Sequence, residues 1–130
     1  MPEHPNVQRI RDGYDAFGKG DFAALDELFA EDLRWHEPGH NQLSGTHDGR
    51  TTVYDVFRRV FEITEGSFRA EAQAVFADDT HGMVLARISG SRAGRQREAM
   101  SAQIMRFADG QVAEVWNAHT DQDALDELFG

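Results

Sequence analysis

The stretch VYDVFRRVFEITEGSFRAEAQAVF, Val53–Phe76, decides the fold class, because the hydrophobic period changes inside it. Val53, Val56, Phe57, Val60 and Phe61 fall at i, i+3, i+4, i+7 and i+8, the spacing of one helix face. Gly66 lies just past that stripe and ends the helix. The period then drops to two. Phe68, Ala70, Ala72, Ala74 and Phe76 alternate with mostly polar residues, the pattern of a half-buried strand.

Downstream the strand pattern continues. Asp78-Asp79-Thr80 turns the chain, and Gly82–Ser89 follows as a strand apolar on both faces. Ser91–Gly94 is a polar loop, around which Arg92, Arg95 and Arg97 gather as a solvated tip. Arg97–Phe107 is a third strand, and Asp109-Gly110 is a strong hairpin signal before a fourth, Gln111–His119. Asp121 can cap a last short helix carrying Leu125, Leu128 and Phe129. Upstream, Val7, Ile10, Tyr14 and Phe17 form one helical stripe after Pro5-Asn6, ended by Gly18 and Gly20. Asp21 can cap a second helix with Phe22, Leu25, Leu28 and Phe29 inside. Leu33–Glu37 reads as a short strand with Trp35 and Glu37 on one face, Arg34 and His36 on the other, and Pro38–Arg50 as a loop. Helices segregated from a run of antiparallel strands make an α+β fold, and the length fits a single domain over residues 1–130.

Composition narrows the function. With 40% apolar residues the chain can bury a real core. It has no cysteine, hence no disulfide, thiol nucleophile or thiolate metal site. No apolar run approaches the roughly 20 residues of a membrane span, and the polar start is no signal peptide, so a cytoplasmic location is expected. A net charge of −10 argues against nucleic acid and anionic membranes as partners and is read as solubility.

The pentapeptide His36-Glu37-Pro38-Gly39-His40 matches the H-E-x-x-H string of zinc proteases. That motif works only on a helix, where both histidines share a face. Pro38 disfavours helical φ/ψ at Glu37, and Gly39 loosens the backbone further, so the segment is the end of a strand. His36, Glu37, His40, His47 and Asp48 crowd one region with nitrogen and oxygen donors but in no rigid metal-binding spacing. No metal is expected. No phosphate-binding glycine loop is present, and no cofactor is expected.

Several motifs together carry a resemblance. They are Gly20-Asp21, Trp35-His36-Glu37-Pro38-Gly39, Leu43-Ser44-Gly45-Thr46 with Gly49-Arg50, Arg106-Phe107-Ala108-Asp109-Gly110, Glu114-Val115-Trp116 and Asp121-Gln122-Asp123-Ala124-Leu125-Asp126. With these, over nearly its whole length, the chain resembles the SnoaL-like, ketosteroid-isomerase-related proteins of the nuclear transport factor 2-like (NTF2-like) superfamily. The resemblance implies a cone-shaped fold in which helices pack on a curved, mostly antiparallel sheet.

It also implies roles. Glu37, an acid directly before a proline at the end of the first strand, takes the place of the general base. Gln103, counted back from Arg106-Phe107, matches the position of the oxyanion-stabilising acid. Tyr14 is the near-match of a first-helix tyrosine. His36 joins these three as a catalytic candidate, although alternation points it away from Glu37. Phe17, Trp35, His40, Phe57, Phe61, Met105, Trp116, Asn117 and His119 are expected to line the ligand cavity. Asn117 and His119 share one face of the last strand and Trp116 the other, so the sequence leaves open which face is the pocket. The implied function is a cofactor-independent isomerase, cyclase or hydratase acting on a small hydrophobic, polycyclic or terpenoid-like molecule by general acid/base catalysis. The alternative is a non-catalytic ligand-binding or dimerisation module. Epoxide hydrolysis in this fold uses an Asp-Arg-Asp set, of which only Arg87 has a counterpart here. A homodimer through the outer face of the sheet is expected, because strand 82–89 is apolar on both faces.

Overall fold

The computed structural model describes residues 3–130. Helix α1 spans Pro5–Gly18, a short 3-10 helix Phe22–Glu27, and strands β1 and β2 Phe29–Glu37 and Gly45–Asp48. Helix α2 follows at Arg50–Ile63, then β3 Arg69–Ala77, β4 His81–Arg92, β5 Arg95–Ala108, β6 Gln111–His119 and α3 Gln122–Phe129. The strands form one sheet in the order β2-β1-β6-β5-β4-β3. Every neighbouring pair is antiparallel except β1 with β6. That parallel pairing returns the end of the chain to its first strand, and the functional site depends on it.

The helices cover one face of the curved sheet. Ile10, Val53, Val84, Val112 and Val115 are fully buried between α1, α2 and the strands. A second cluster at the α3 end joins Leu43, Ile63, Phe68, Ile88, Leu125 and Phe129. α1 starts as its sequence dictates, with Pro5 in the first turn, where no backbone donor is missed, and the His4 Nδ1 accepting from Asn6 N. Asp109-Gly110 forms the expected hairpin, both residues at positive φ (52° and 80°). Ala93-Gly94 does the same at 54° and 77°, so the polar loop expected at 91–94 is a two-residue turn, and β4 and β5 run on to meet it.

Three expectations are corrected. The second helix is shorter than its stripe: Asp21 caps it by accepting from Ala24 N, but Phe29 already belongs to β1. There Val112 N donates to Leu28 O at 2.8 Å and Phe29 pairs with Val112, so sheet pairing overrides the helical spacing. The loop between β1 and α2 contains β2, whose Gly45 to Asp48 pair with Glu37 back to Arg34. Four residues without a hydrophobic alternation carry no strand signal of their own; the neighbour supplies the pairing. In β3 the alternation does not run straight through. Ala72 pairs with Ala86 but Ala74 with Leu85, leaving Gln73 as a bulge. The bulge shifts the phase by one residue, which turns Val75 inward and Phe76 out to solvent, 54% exposed.

The segment after β1 is pinned over α3. Asp126 Oδ1 accepts from His40 N (3.0 Å), Asn41 Nδ2 (2.7 Å) and Gln122 Nε2 (3.0 Å). Gly39 sits at φ +90°, where a Cβ would run into the Gln122 and Asp126 side chains. At the far end Arg92 closes α3, its Nε donating to Leu128 O and its Nη2 to Glu127 O.

Candidate active site

Between the concave face of the sheet and the helices lies a cavity of about 90 Å³. Its walls are largely apolar: Phe17 from α1, Phe57 and Val60 from α2, Trp35 from β1, Met105 from β5 and Leu125 from α3. Among the described residues the polar lining groups are Tyr14, Glu37, Gln103, Asn117 and His119. These come from α1, β1, β5 and β6, so the sheet register positions most of them. His36 pairs in parallel with Trp116, which sets the end of β1 beside Asn117 and His119. Gln103 is the antiparallel partner of Asn117.

Two hydrogen-bonded groups result. In the first, Glu37 accepts from the Trp35 indole Nε1 through Oε1 (3.2 Å) and from His119 Nε2 through Oε2 (3.0 Å). The side chains of this hydrogen-bonded pair, Glu37 and His119, are 11% and 3% exposed. A carboxylate in an apolar wall is costly unless donors face it, and here both oxygens have one. Among the described residues, His119 Nδ1 has no hydrogen-bond partner, nor has the buried hydroxyl of Ser101, the residue opposite His119 on β5. In the second group, Tyr14 Oη donates to Gln103 Oε1 (2.6 Å), Gln103 Nε2 to Asn117 Oδ1 (2.9 Å) and Asn117 Nδ2 to the backbone carbonyl of His36 (3.0 Å). Burial pushes the Tyr14 phenol well above its ordinary range, so it stays an O–H at any working pH. A carboxylate base thus stands near amide and phenol groups in a mostly apolar chamber, an arrangement able to move a proton and to hydrogen-bond an oxygen of a bound molecule.

The structure brings together Tyr14, Phe17, Trp35, Glu37, Phe57, Gln103, Met105, Asn117 and His119. The pocket face of β6 is that of Asn117 and His119. Four other residues stand outside the cavity lining. His36, offered as catalytic, points to the opposite face, where its Nε2 donates to Glu114 Oε2 at 2.7 Å and its Nδ1 accepts from Thr46 Oγ1 at 3.0 Å. Trp116 stacks on that imidazole with centroids 5.5 Å apart. Period-two alternation forces both outward. His40 is exposed in the pinned loop, contributing its backbone N–H to Asp126. Phe61 packs behind the lining against Phe17 and Phe68. Sequence reasoning placed His119 in the lining but missed it as the partner of Glu37. The two are 82 positions apart, and no local pattern announces a parallel β1–β6 contact. Among the described residues no three His, Cys, Asp or Glu side chains converge as a metal site. His47 donates to Leu43 O and Asp48 pairs with Arg34.

Known proteins share this fold. The family model described as SnoaL-like domain matches residues 10–115. Bal32a, from a soil-derived mobile gene cassette, is 32% identical, with 96% of each chain covered and a TM-score of 0.91. An NTF2-like protein from Burkholderia xenovorans LB400 is 23% identical with a TM-score of 0.82, covering 100% of this chain and 99% of its own. IdmH of Streptomyces antibioticus, put forward as a polyketide cyclase, is 22% identical with a TM-score of 0.78, over 96% of this chain and 99% of its own. The match over most of the chain, on an α+β sheet with these motifs, means that the chain belongs to the SnoaL-like family, within the NTF2-like fold.

Proposed function

We propose that the protein is an isomerase or cyclase that acts on a small, largely apolar molecule by general acid/base catalysis. The carrying observation is the buried Glu37–His119 pair, 3.0 Å apart, in a cavity lined mostly by hydrocarbon. Glu37 is the base. It takes a proton from carbon or oxygen of the ligand, and the His119 Nε2–H on its second oxygen holds the carboxylate in place. The second N–H of Gln103, not used by Asn117, donates to oxygen on which negative charge develops. The apolar walls strengthen both interactions. The cyclase description belongs to IdmH, and at 22% identity that likeness is one of fold; the reaction class rests on the side chains of this cavity.

Hydrogen–deuterium exchange into 2-tetralone, a bicyclic ketone with an acidic α C–H, tests the proposal. The protein should accelerate exchange over buffer, and Glu37→Gln should cut the acceleration about 100-fold or more while the fold persists, as expected for loss of a general base. A chain that binds such ketones with no acceleration of exchange would instead be the non-catalytic binding module.

A further inference from the structure

We infer that the cavity selects a hydroxyl-bearing ligand, an enol or phenol rather than a simple ketone, with Tyr14 Oη as acceptor and the spare N–H of Gln103 as donor. The inference rests on the reading that the cavity takes a small apolar ligand.

The argument starts from the one group in the polar chain that cannot change role. The backbone carbonyl of His36 only accepts. Asn117 must therefore turn its Nδ2 toward it, at 3.0 Å, and its Oδ1 toward Gln103. Gln103 must then present Nε2 to that oxygen, at 2.9 Å, and Oε1 to Tyr14. Tyr14 has no choice but to donate, at 2.6 Å. Flipping either amide alone would set oxygen against oxygen or N–H against N–H. A carbonyl three hydrogen bonds away thus fixes the direction of the whole chain.

The consequence for a ligand is an inversion. A buried tyrosine beside a general base looks like a donor for a carbonyl oxygen. Here its only proton is committed to Gln103, and what it has left is lone pairs. A ketone oxygen placed against Tyr14 meets repulsion and finds only one donor, on Gln103. A hydroxyl satisfies both neighbours, accepting from Gln103 and donating to Tyr14. The enol of 2-tetralone is such a hydroxyl and the ketone is not.

Equilibrium binding of naphthalene, 2-naphthol and 2-tetralone to the wild-type chain, Tyr14→Phe and Asn117→Leu tests this. Wild type should bind 2-naphthol about five-fold more tightly than naphthalene, the worth of one net neutral hydrogen bond, and also more tightly than 2-tetralone. Tyr14→Phe should lower the naphthol-to-naphthalene ratio, because the hydroxyl loses its acceptor and keeps only the bond from Gln103. Asn117→Leu releases the Gln103 amide to turn over, and the preference for 2-naphthol over 2-tetralone should shrink. Because each readout is a ratio within one variant, general loosening of the cavity does not imitate it. Naphthalene binding with no preference for 2-naphthol, or a preference untouched by both substitutions, overturns the hydroxyl assignment and leaves the cavity as a ligand site. Failure of all three probes to bind overturns both.

Discussion

Glu37 owes its place to two neighbours, one adjacent in sequence and one remote. Trp35 shares its face of β1, and its indole reaches the first carboxylate oxygen; His119 arrives from β6 and holds the second. Removing His119 leaves a carboxylate in an apolar wall with a single donor. His119→Leu should therefore destabilise the fold by about 2 kcal/mol, within the range for stranding a buried polar partner, readable in urea melts. The same substitution should slow 2-tetralone exchange, and less than Glu37→Gln does, because the base itself remains. An unchanged melting midpoint would mean the pair contributes nothing net. Gly39 is the other residue whose chemistry is settled by its surroundings. Its φ of +90° and the side chains of Gln122 and Asp126 leave no room for a methyl group. Gly39→Ala should cost about 1–3 kcal/mol through backbone strain alone, with further loss if α3 is displaced.

At the scale of elements, the segment after β1 and helix α3 close one end of the cavity, and Asp126 joins them. Burial alone would raise its carboxyl, but hydrogen bonds from Asn41, Gln122 and the His40 N–H outweigh that and hold it below the usual aspartate range. A carboxyl lowered in the folded state stabilises the fold above its unfolded pKa, about 3.9 for aspartate, and that contribution is lost as pH falls through the lowered value. Asp126→Asn should thus be less stable than wild type near neutrality, and the difference should shrink as pH drops below that range. A difference that stays constant from pH 7 to pH 2 would show that the anchor does not depend on charge. The β3 bulge acts at the same scale. By shifting the phase at Gln73 it leaves Ala70 inward against the cluster at the α3 end and Ala72 and Val75 inward against the cluster of α1 and α2, and it sends Phe76 to the outer face.

For the whole molecule, that outer face is the remaining question. Phe76, Met83, Ile104 and Trp116 are successive cross-strand partners from β3 to β6, and His36 on β1 continues the row. Phe76 and Ile104 are 54% and 45% exposed, high for large apolar side chains standing together. We propose that a second copy of the chain covers this row, giving a homodimer. Ile104→Glu would place two like charges near the centre of such an interface. It should convert the dimer to a monomer by light scattering at micromolar concentration, with the cavity and its exchange activity retained. A wild-type monomer at that concentration would refute the proposal. Among the described residues no helix is long and apolar enough to cross a membrane.

Where side chains obey local periodicity, the sequence alone determined the outcome. The α2 stripe, the Asp21 and Asp121 caps, the Asp109-Gly110 turn and the separation of Glu37 from His36 all follow from spacings of a few residues. Pro38 and Gly39 were enough to reject the protease motif, since both act on their own backbone. Tertiary structure decided what depends on which strand lies beside which. β2 exists only as a partner for β1, and the Gln73 bulge only as a mismatch against β4. The pairing of Glu37 with His119 needs β1 and β6 parallel. The polarity of Tyr14 needs a carbonyl of β1 to orient amides on two other strands. Pairings across 80 residues leave no trace in a local pattern, because any strand edge offers the same donors and acceptors; the choice among edges belongs to the packing of the whole chain.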